Sequence, residues 1–500
     1  MRDSDILLLG VADTVSKEIS SSAYTNLPIN EKSFVLANQS LNKLSDYLKL
    51  TRNNLEQLVT DLISIPPSNP YSDFGYTIKL AYNLGLTGIE PHTIDNEGSS
   101  VGGAISLASR LIRENLDRFV LISAGDAPKS GLTKISDIQM VTKVTTHREW
   151  ETPYGPTLIG LYGIMAKRLM YENHITQKDF EDITRYFRSC AINNPRAVNY
   201  EKEITSKSIS KMVCSPYSTP MIAIVSDHGF STILVSGKKY KELLNSRIIE
   251  PSSEPVKVSG YANVFYSEFL SQRKSLESPS KLSGKLAFKR AGLRPQDIDY
   301  AWIYDCFIGM IIKQASNFFN ISVGDVTRSL AKGEITVDNK KIPINRGGGI
   351  LNYQASMAIS GASGLIDVMS AFNLTPNPIH NYNGNIKHAF MSGNGGIDSV
   401  NSVVIFSELS HEIKYQHLDE NSIIREAKKY FPLNKPDFEE AEGILYSYTV
   451  IGFNPGGEKR SPYVLALVKT KNQNFVLCNI QKPSGELLKS DENLEIEKTP

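Results

Sequence analysis

Residues 343–364 read PINRGGGILNYQASMAISGASG. Three consecutive glycines, Gly347, Gly348 and Gly349, do not belong inside a helix or strand, because glycine loses too much backbone freedom there. They belong where backbone comes close to something. Ala358, Ser360, Gly361, Ala362 and Gly364 are all small, which suits a helix packed tightly against a neighbour. The stretch therefore predicts a tight turn leading into a buried helix.

A second glycine-rich stretch has the same texture. Residues 94–112 read IDNEGSSVGGAISLASRLI, and Ala104, Leu107, Ala108, Leu111 and Ile112 fall on one helical face. Ser99 and Ser100 stand where N-caps are expected. Residues 119–125 (FVLISAG) follow as a buried strand, and residues 5–12 (DILLLGVA) make another. Residues 297–307 alternate as a strand ending at Tyr304-Asp305-Cys306-Phe307, and residues 386–407 read as strand, glycine loop and strand. Strands and helices joined by short links indicate an α/β fold.

The chain has 500 residues, enough for two or three domains, with 41% hydrophobic and 21% charged residues. Its 54 basic and 53 acidic residues nearly cancel, which gives no electrostatic reason to expect nucleic acid as a partner. No apolar run reaches the ~18–20 residues that span a bilayer. Four cysteines, Cys190, Cys214, Cys306 and Cys478, are scattered without a CxxC pair. No metal site or disulfide framework is indicated, and a cytoplasmic location is expected.

These stretches resemble the thiolase superfamily, of the sterol-carrier-protein-x and lipid-transfer-protein type. Asn345, Gly348 and Gly349 match its Asn and glycine pair, and Asn194-Pro195-Arg196-Ala197 matches its Asn-Pro-x-Ala. Gly393, Gly395 and Gly396 match its second cysteine loop. The resemblance implies a layered αβαβα thiolase fold. It places an N-terminal half with a helical excursion at 1–240 and a C-terminal half at 241–408. A linker would follow at 409–442, then a small all-β OB-fold acyl-CoA-associated domain at 443–500. It also implies a homodimer, an acyl-CoA substrate with no other cofactor, and a thiolase, synthase or reductase as partner.

The catalytic side chains of the family are missing. Gly98 stands for the nucleophilic cysteine, Ala355 for the histidine and Met391 for the second cysteine. Acyl transfer needs a thiolate at the first position, so that route is closed. A pocket that grips a thioester carbonyl still suits an enolate, and retro-aldol cleavage of a 3-hydroxyacyl-CoA requires no acyl-enzyme. The resemblance to lipid-transfer-protein aldolases gives Tyr304 and Tyr353 the base and proton-relay roles, through a lowered pKa or a further group, with Asp305 assisting or capping the following helix. Backbone donors around Gly98, Ser99, Gly348, Asn394 and Gly395 are expected to hold the thioester oxygen. Two readings compete with this one: a non-catalytic acyl-CoA-holding component, and an acetyltransferase acting through Cys306. Asp227 and His228 are adjacent, and a turn is expected there.

Overall fold

The computed structural model describes residues 1–19, 24–68, 74–132, 145–382, 384–412, 442–452 and 462–480, with short pieces at 425, 428–429 and 493–495. Its centre is one nine-stranded sheet. The strands are β1 (Ile6–Val15), β2 (Asp61–Ser64), β3 (Glu90–Thr93), β4 (Phe119–Asp126), β5 (His228–Ser236), β6 (Val256–Phe265), β7 (Tyr300–Trp302), β8 (His388–Gly395) and β9 (Val400–Ser407). Their spatial order is β3-β2-β4-β5-β1-β6-β9-β8-β7. The order on either side of the β1–β6 contact is mirrored, as two copies of one unit would give. That contact is slight, with only Leu7 opposite Lys257 and Leu8 opposite Val256.

Helices used below are α1 (Ile29–Leu48), α2 (Ser100–Glu114), α3 (Leu158–Asn173), α4 (Ile308–Phe319), α5 (Gly349–Asn352) and α6 (Gly361–Ala371). Three apolar clusters define the layers. On β4, Phe119 and Leu121 face an outer cluster with Leu41 and Leu44 of α1. Val120, Ile122 and Ala124 face the opposite way, into a central cluster with Ala104 and Ile105 of α2 and Leu365 and Ile366 of α6. A third cluster covers the far face of the second half through Ile308 and Ile312 of α4. The result is the αβαβα layering of a thiolase fold.

Small residues let the helices of the central layer pack closely against their neighbours. A methyl group on Gly364 would collide with the Trp302 ring, and one on Gly361 would lie 3.1 Å from Val101 Cβ. The two glycine-rich stretches therefore meet in the middle of the molecule. The turn of 347–349 is also real: Gly348 and Gly349 have φ of 93° and 64°, in the left-handed region that glycine enters without strain.

Two differences from expectation matter. First, β1 runs to Val15 rather than stopping near Ala12, because the charge on Asp13 is fully paired inside the fold and does not force the chain to solvent. Second, the strands after residue 441 do not stand apart. Glu442–Ile451, Tyr463–Thr470 and Phe475–Ile480 form an antiparallel meander that continues into the hairpin Met212–Cys214 and Tyr217–Ser218. Ile451, Leu465, Leu467, Phe475 and Leu477 share one apolar cluster with Leu161 of α3 and Ile308 of α4. Most of the expected linker and the remainder of the expected OB fold lie outside the described residues.

Candidate active site

The 3-10 turn Glu97–Ser99 enters α2 beneath the loop Ala355–Ser360. A methyl group on Gly98 would collide with the Tyr304 hydroxyl and the Asn394 carbonyl. The phenol thus occupies the space that the first atoms of a side chain at residue 98 would take. Tyr304 is held there by its own N–H, which donates to Ser392 Oγ at 3.0 Å, and by an edge-on contact with Trp302 at 5.9 Å. Ser360 lies beside its hydroxyl. Burial, and then the neighbouring Cys306, push its pKa well above that of a free phenol. Tyr304 is a neutral donor and not an anion.

The same neighbourhood holds other candidates. Asn394 donates through Nδ2 to the Tyr162 hydroxyl at 3.1 Å and lies 3.9 Å from Cys306 Sγ. Its Oδ1 and the Ser99 hydroxyl are buried without partners among the described residues. Ser99 therefore stands at the N-cap of α2 without capping it, while Ser100 Oγ donates to the Glu97 carbonyl at 2.6 Å. Gly395 packs its α-carbon against the Asn96 carbonyl. Burial raises the Cys306 thiol far above its ordinary value, so it is no ready thiolate. Ala355 and Met391 are buried and bring no titratable group.

Three expectations are corrected by geometry. The Ser99 N–H is spent on the Asn96 carbonyl at 3.0 Å, so it is no oxyanion donor. Gly348 N–H is spent on the Asn345 carbonyl at 2.8 Å, and a methyl group added to this residue would lie only 2.5 Å from Ala191 Cβ. Asp305 is wholly buried and accepts N–H bonds from Ile350 at 2.9 Å and Leu351 at 3.4 Å. It caps α5, which lies far along the chain, and not the helix that follows it. Burial lifts its pKa to about 7 against the pull of those N–H groups.

Tyr353 sits in a different setting. Its hydroxyl donates to Asp13 Oδ2 at 2.7 Å, and His228 Nε2 binds the same oxygen at 2.8 Å. Arg196 takes Asp13 Oδ1 at 2.7 Å and Glu18 Oε1 at 2.7 Å. Burial opposes charge on Asp13, yet Arg196, His228 and Tyr353 hold its carboxyl well below the usual range. Burial and the Asp13 charge raise the Tyr353 phenol well above its ordinary value. The two phenols are not brought to a shared partner: one faces Gly98 and Ser360, the other Asp13. His228 begins β5 rather than a turn. Asp13 and Arg196 were not singled out from sequence as site residues; the available signal was a lone acid closing an apolar strand.

Among the described residues, Asp61, Glu90 and His92 are the metal-ligating types that converge. The Arg118 guanidinium already stands between Asp61, at 2.5 Å, and Glu90, at 3.1 Å.

Comparison with known proteins agrees with this fold. The thiolase C-terminal domain-like family matches residues 263–408. The chain is 24% identical over 294 residues to an acetyl-CoA acetyltransferase of Methanocaldococcus jannaschii, covering 58% of this chain and 71% of that protein. It is 24% identical over 223 residues to a steroid side-chain-cleaving aldolase of Thermomonospora curvata, covering 44% and 56%. It superposes on a monomeric SCP2-thiolase-like protein type 1 from Mycobacterium smegmatis with a TM-score of 0.68 at 15% identity, over 96% of this chain and 92% of that one. Residues 263–408 thus match a thiolase family model, and the chain as a whole has the thiolase fold. The Ltp2–ChsH2(DUF35) aldolase also shares its fold, with a TM-score of 0.62 at 18% identity, over 82% of this chain and 99% of that one. No helix among the described residues is long and apolar enough to cross a membrane.

Proposed function

We propose that this thiolase-fold chain cleaves or forms a carbon–carbon bond in a 3-hydroxyacyl-CoA by an aldolase route, without a covalent acyl-enzyme. The observation that carries the reading is the Tyr304 hydroxyl standing where the side chain of the nucleophile would stand. In the cleavage direction a base takes the 3-hydroxyl proton, the C2–C3 bond breaks as the C3 carbonyl forms, and the electron pair enters a thioester enolate. Tyr304, kept neutral, donates to that developing charge, together with backbone near Gly98, Asn394 and Gly395. The similarity to the steroid side-chain-cleaving aldolase supports the reaction class.

Acyl transfer, suggested by the similarity to the acetyl-CoA acetyltransferase, lacks a thiol at residue 98 and finds only a strongly raised one at Cys306. The resemblance implies an OB-fold partner, and the β-meander after residue 441 is the part of this chain that would take that role. A homodimer is a further proposal, read by light scattering as twice 55.5 kDa.

Incubation with a panel of 3-hydroxyacyl-CoAs should release an aldehyde or ketone and a shortened acyl-CoA. The Tyr304→Phe protein should bind CoA thioesters but release none. Absence of any carbonyl product across the panel, with thioester binding intact, would leave the acyl-CoA-holding reading standing instead.

A further inference from the structure

Both phenols are held protonated, so the aldolase reading lacks a base. His228 and Asp126 are direct partners across the antiparallel β4–β5 ladder. Opposed residues of such a ladder point to the same face, with Cβ atoms about 4.5–5.5 Å apart. That face is the central layer, since Ala124 of β4 and Phe230 of β5 lie in its apolar cluster. Both side chains are wholly buried. His228 Nδ1 and Asp126 Oδ1 have no hydrogen-bond partner among the described residues, nor does Ser356 Oγ. Ser226 ties its N–H to the Ala355 carbonyl and its hydroxyl to the Ala355 N–H, both at 2.9 Å, which brings Ser356 to the start of β5. Buried polar atoms are satisfied in the great majority of cases, so two orphans on opposed ladder residues, with a third on the loop tied to the same strand start, point to a polar ligand.

The tautomer is fixed by Asp13. An ionised carboxylate only accepts, and Asp13 Oδ2 takes both the Tyr353 hydroxyl and His228 Nε2. Nε2 therefore carries the hydrogen, and the lone pair of a neutral imidazole is on Nδ1. An acid that orients an imidazole and stabilises its cation is the logic of a hydrolase triad, met here on other residues. A chain of hydrogen bonds links the pair to the loop that covers the Gly98 turn. Asp126 Oδ2 accepts from Ser68 N–H at 3.1 Å, and Ser68 Oγ accepts from Ala358 N–H at 2.8 Å, in the loop whose Ser360 lies beside Tyr304.

The geometry points to a second polar site, formed by His228 Nδ1, Asp126 and Ser356 and oriented by Asp13, which takes the hydroxyl of the acyl chain and receives its proton. The inference rests on the aldolase reading for its chemistry. Nδ1 accepts the 3-hydroxyl proton as the C2–C3 bond breaks, and the imidazolium, stabilised by Asp13, returns that proton to C2. One proton moves from oxygen to carbon, and the products are a carbonyl compound and an acyl-CoA. Burial, which lifts the Asp126 carboxyl to about 7, keeps a second donor available to the same oxygen.

Two measurements test it. Binding of 3-hydroxyoctanoyl-CoA and octanoyl-CoA is compared by equilibrium titration in the Tyr304→Phe background, where cleavage is suppressed. The hydroxylated ligand should bind about tenfold more tightly, and Asp126→Asn or His228→Gln should erase the difference while leaving octanoyl-CoA affinity unchanged. Equal affinities before those changes would overturn the site. Imidazole nitrogen NMR, with His228 assigned through His228→Gln, should show a proton on Nε2 and none on Nδ1, and a shift of Nδ1 on adding 3-hydroxyoctanoyl-CoA. A proton on Nδ1 instead would overturn it. Hydroxyl discrimination without any cleavage by the unmodified protein would defeat the aldolase reading and leave the site.

Discussion

Tyr304 and Tyr353 are the same residue type in the same central layer, and their surroundings differ in kind. Tyr304 touches hydroxyls, a carbonyl and a ring, with no ion pair at its oxygen. Tyr353 is one of three groups bound to a buried, ionised Asp13. Neither phenol is a base: burial raises both, with Cys306 adding to it at Tyr304 and the Asp13 charge adding to it at Tyr353. A position that inherits a family's role therefore has that role rewritten by its neighbours.

The contrast can be broken by substitution. Tyr304→Phe should lower the rate of carbonyl release about 10²–10⁴-fold with little change in unfolding midpoint. An unchanged rate would return the phenol to a packing role. Asp13→Ala should act on stability, because it leaves the Tyr353 hydroxyl and His228 Nε2 buried without their acceptor and removes one of the two carboxylates paired with Arg196. A loss of about 3–5 kcal/mol in denaturant unfolding is expected. Gly349→Ala combines a left-handed φ of 64° with a collision against the Asp305 carboxylate, and should cost about 1–3 kcal/mol.

The acids divide the same way, and pH reads the difference. Asp13 is depressed when folded, so its contribution is present above the ordinary carboxylate value and is lost as pH falls through and below it. Asp126 and Asp305 are raised from 3.8 to about 7. Their folded forms bind protons more tightly than the unfolded chain, so stability from them is present at low pH and falls as pH rises from about 4 to about 7. Asp126→Asn should flatten part of that fall in unfolding free energy measured between pH 4 and pH 7. The smallest effect concerns Cys306: although only half-buried, in the folded protein it should react more slowly with alkylating reagents than after denaturation, because desolvation keeps its thiol protonated.

The layered fold was legible because small-residue runs and apolar strands are local signals. Gly361 against Val101, and Gly364 against Trp302, are what such runs are for. Gly98, Ala355 and Met391 were legible as losses. What stayed hidden depends on contacts between distant segments. Asp13 reads as the end of a strand until Arg196 arrives from far along the chain to pair its charge and His228 and Tyr353 arrive to hydrogen-bond it. Asp305 reads as a cap for its own helix until α5 folds back onto it. His228 reads as a turn residue, since nothing in its neighbours reveals that β4 will set Asp126 opposite it. The tail meander reads as a separate module because the hairpin that extends its sheet lies more than two hundred residues earlier.

The account turns on carbon–carbon chemistry without a covalent acyl intermediate. Intact-protein mass spectrometry during turnover of a cleavable 3-hydroxyacyl-CoA tests this directly, with the released carbonyl compound measured alongside. The expected result is carbonyl release from protein whose mass never changes. An acyl adduct that forms and decays on Cys306 at the rate of turnover would contradict it.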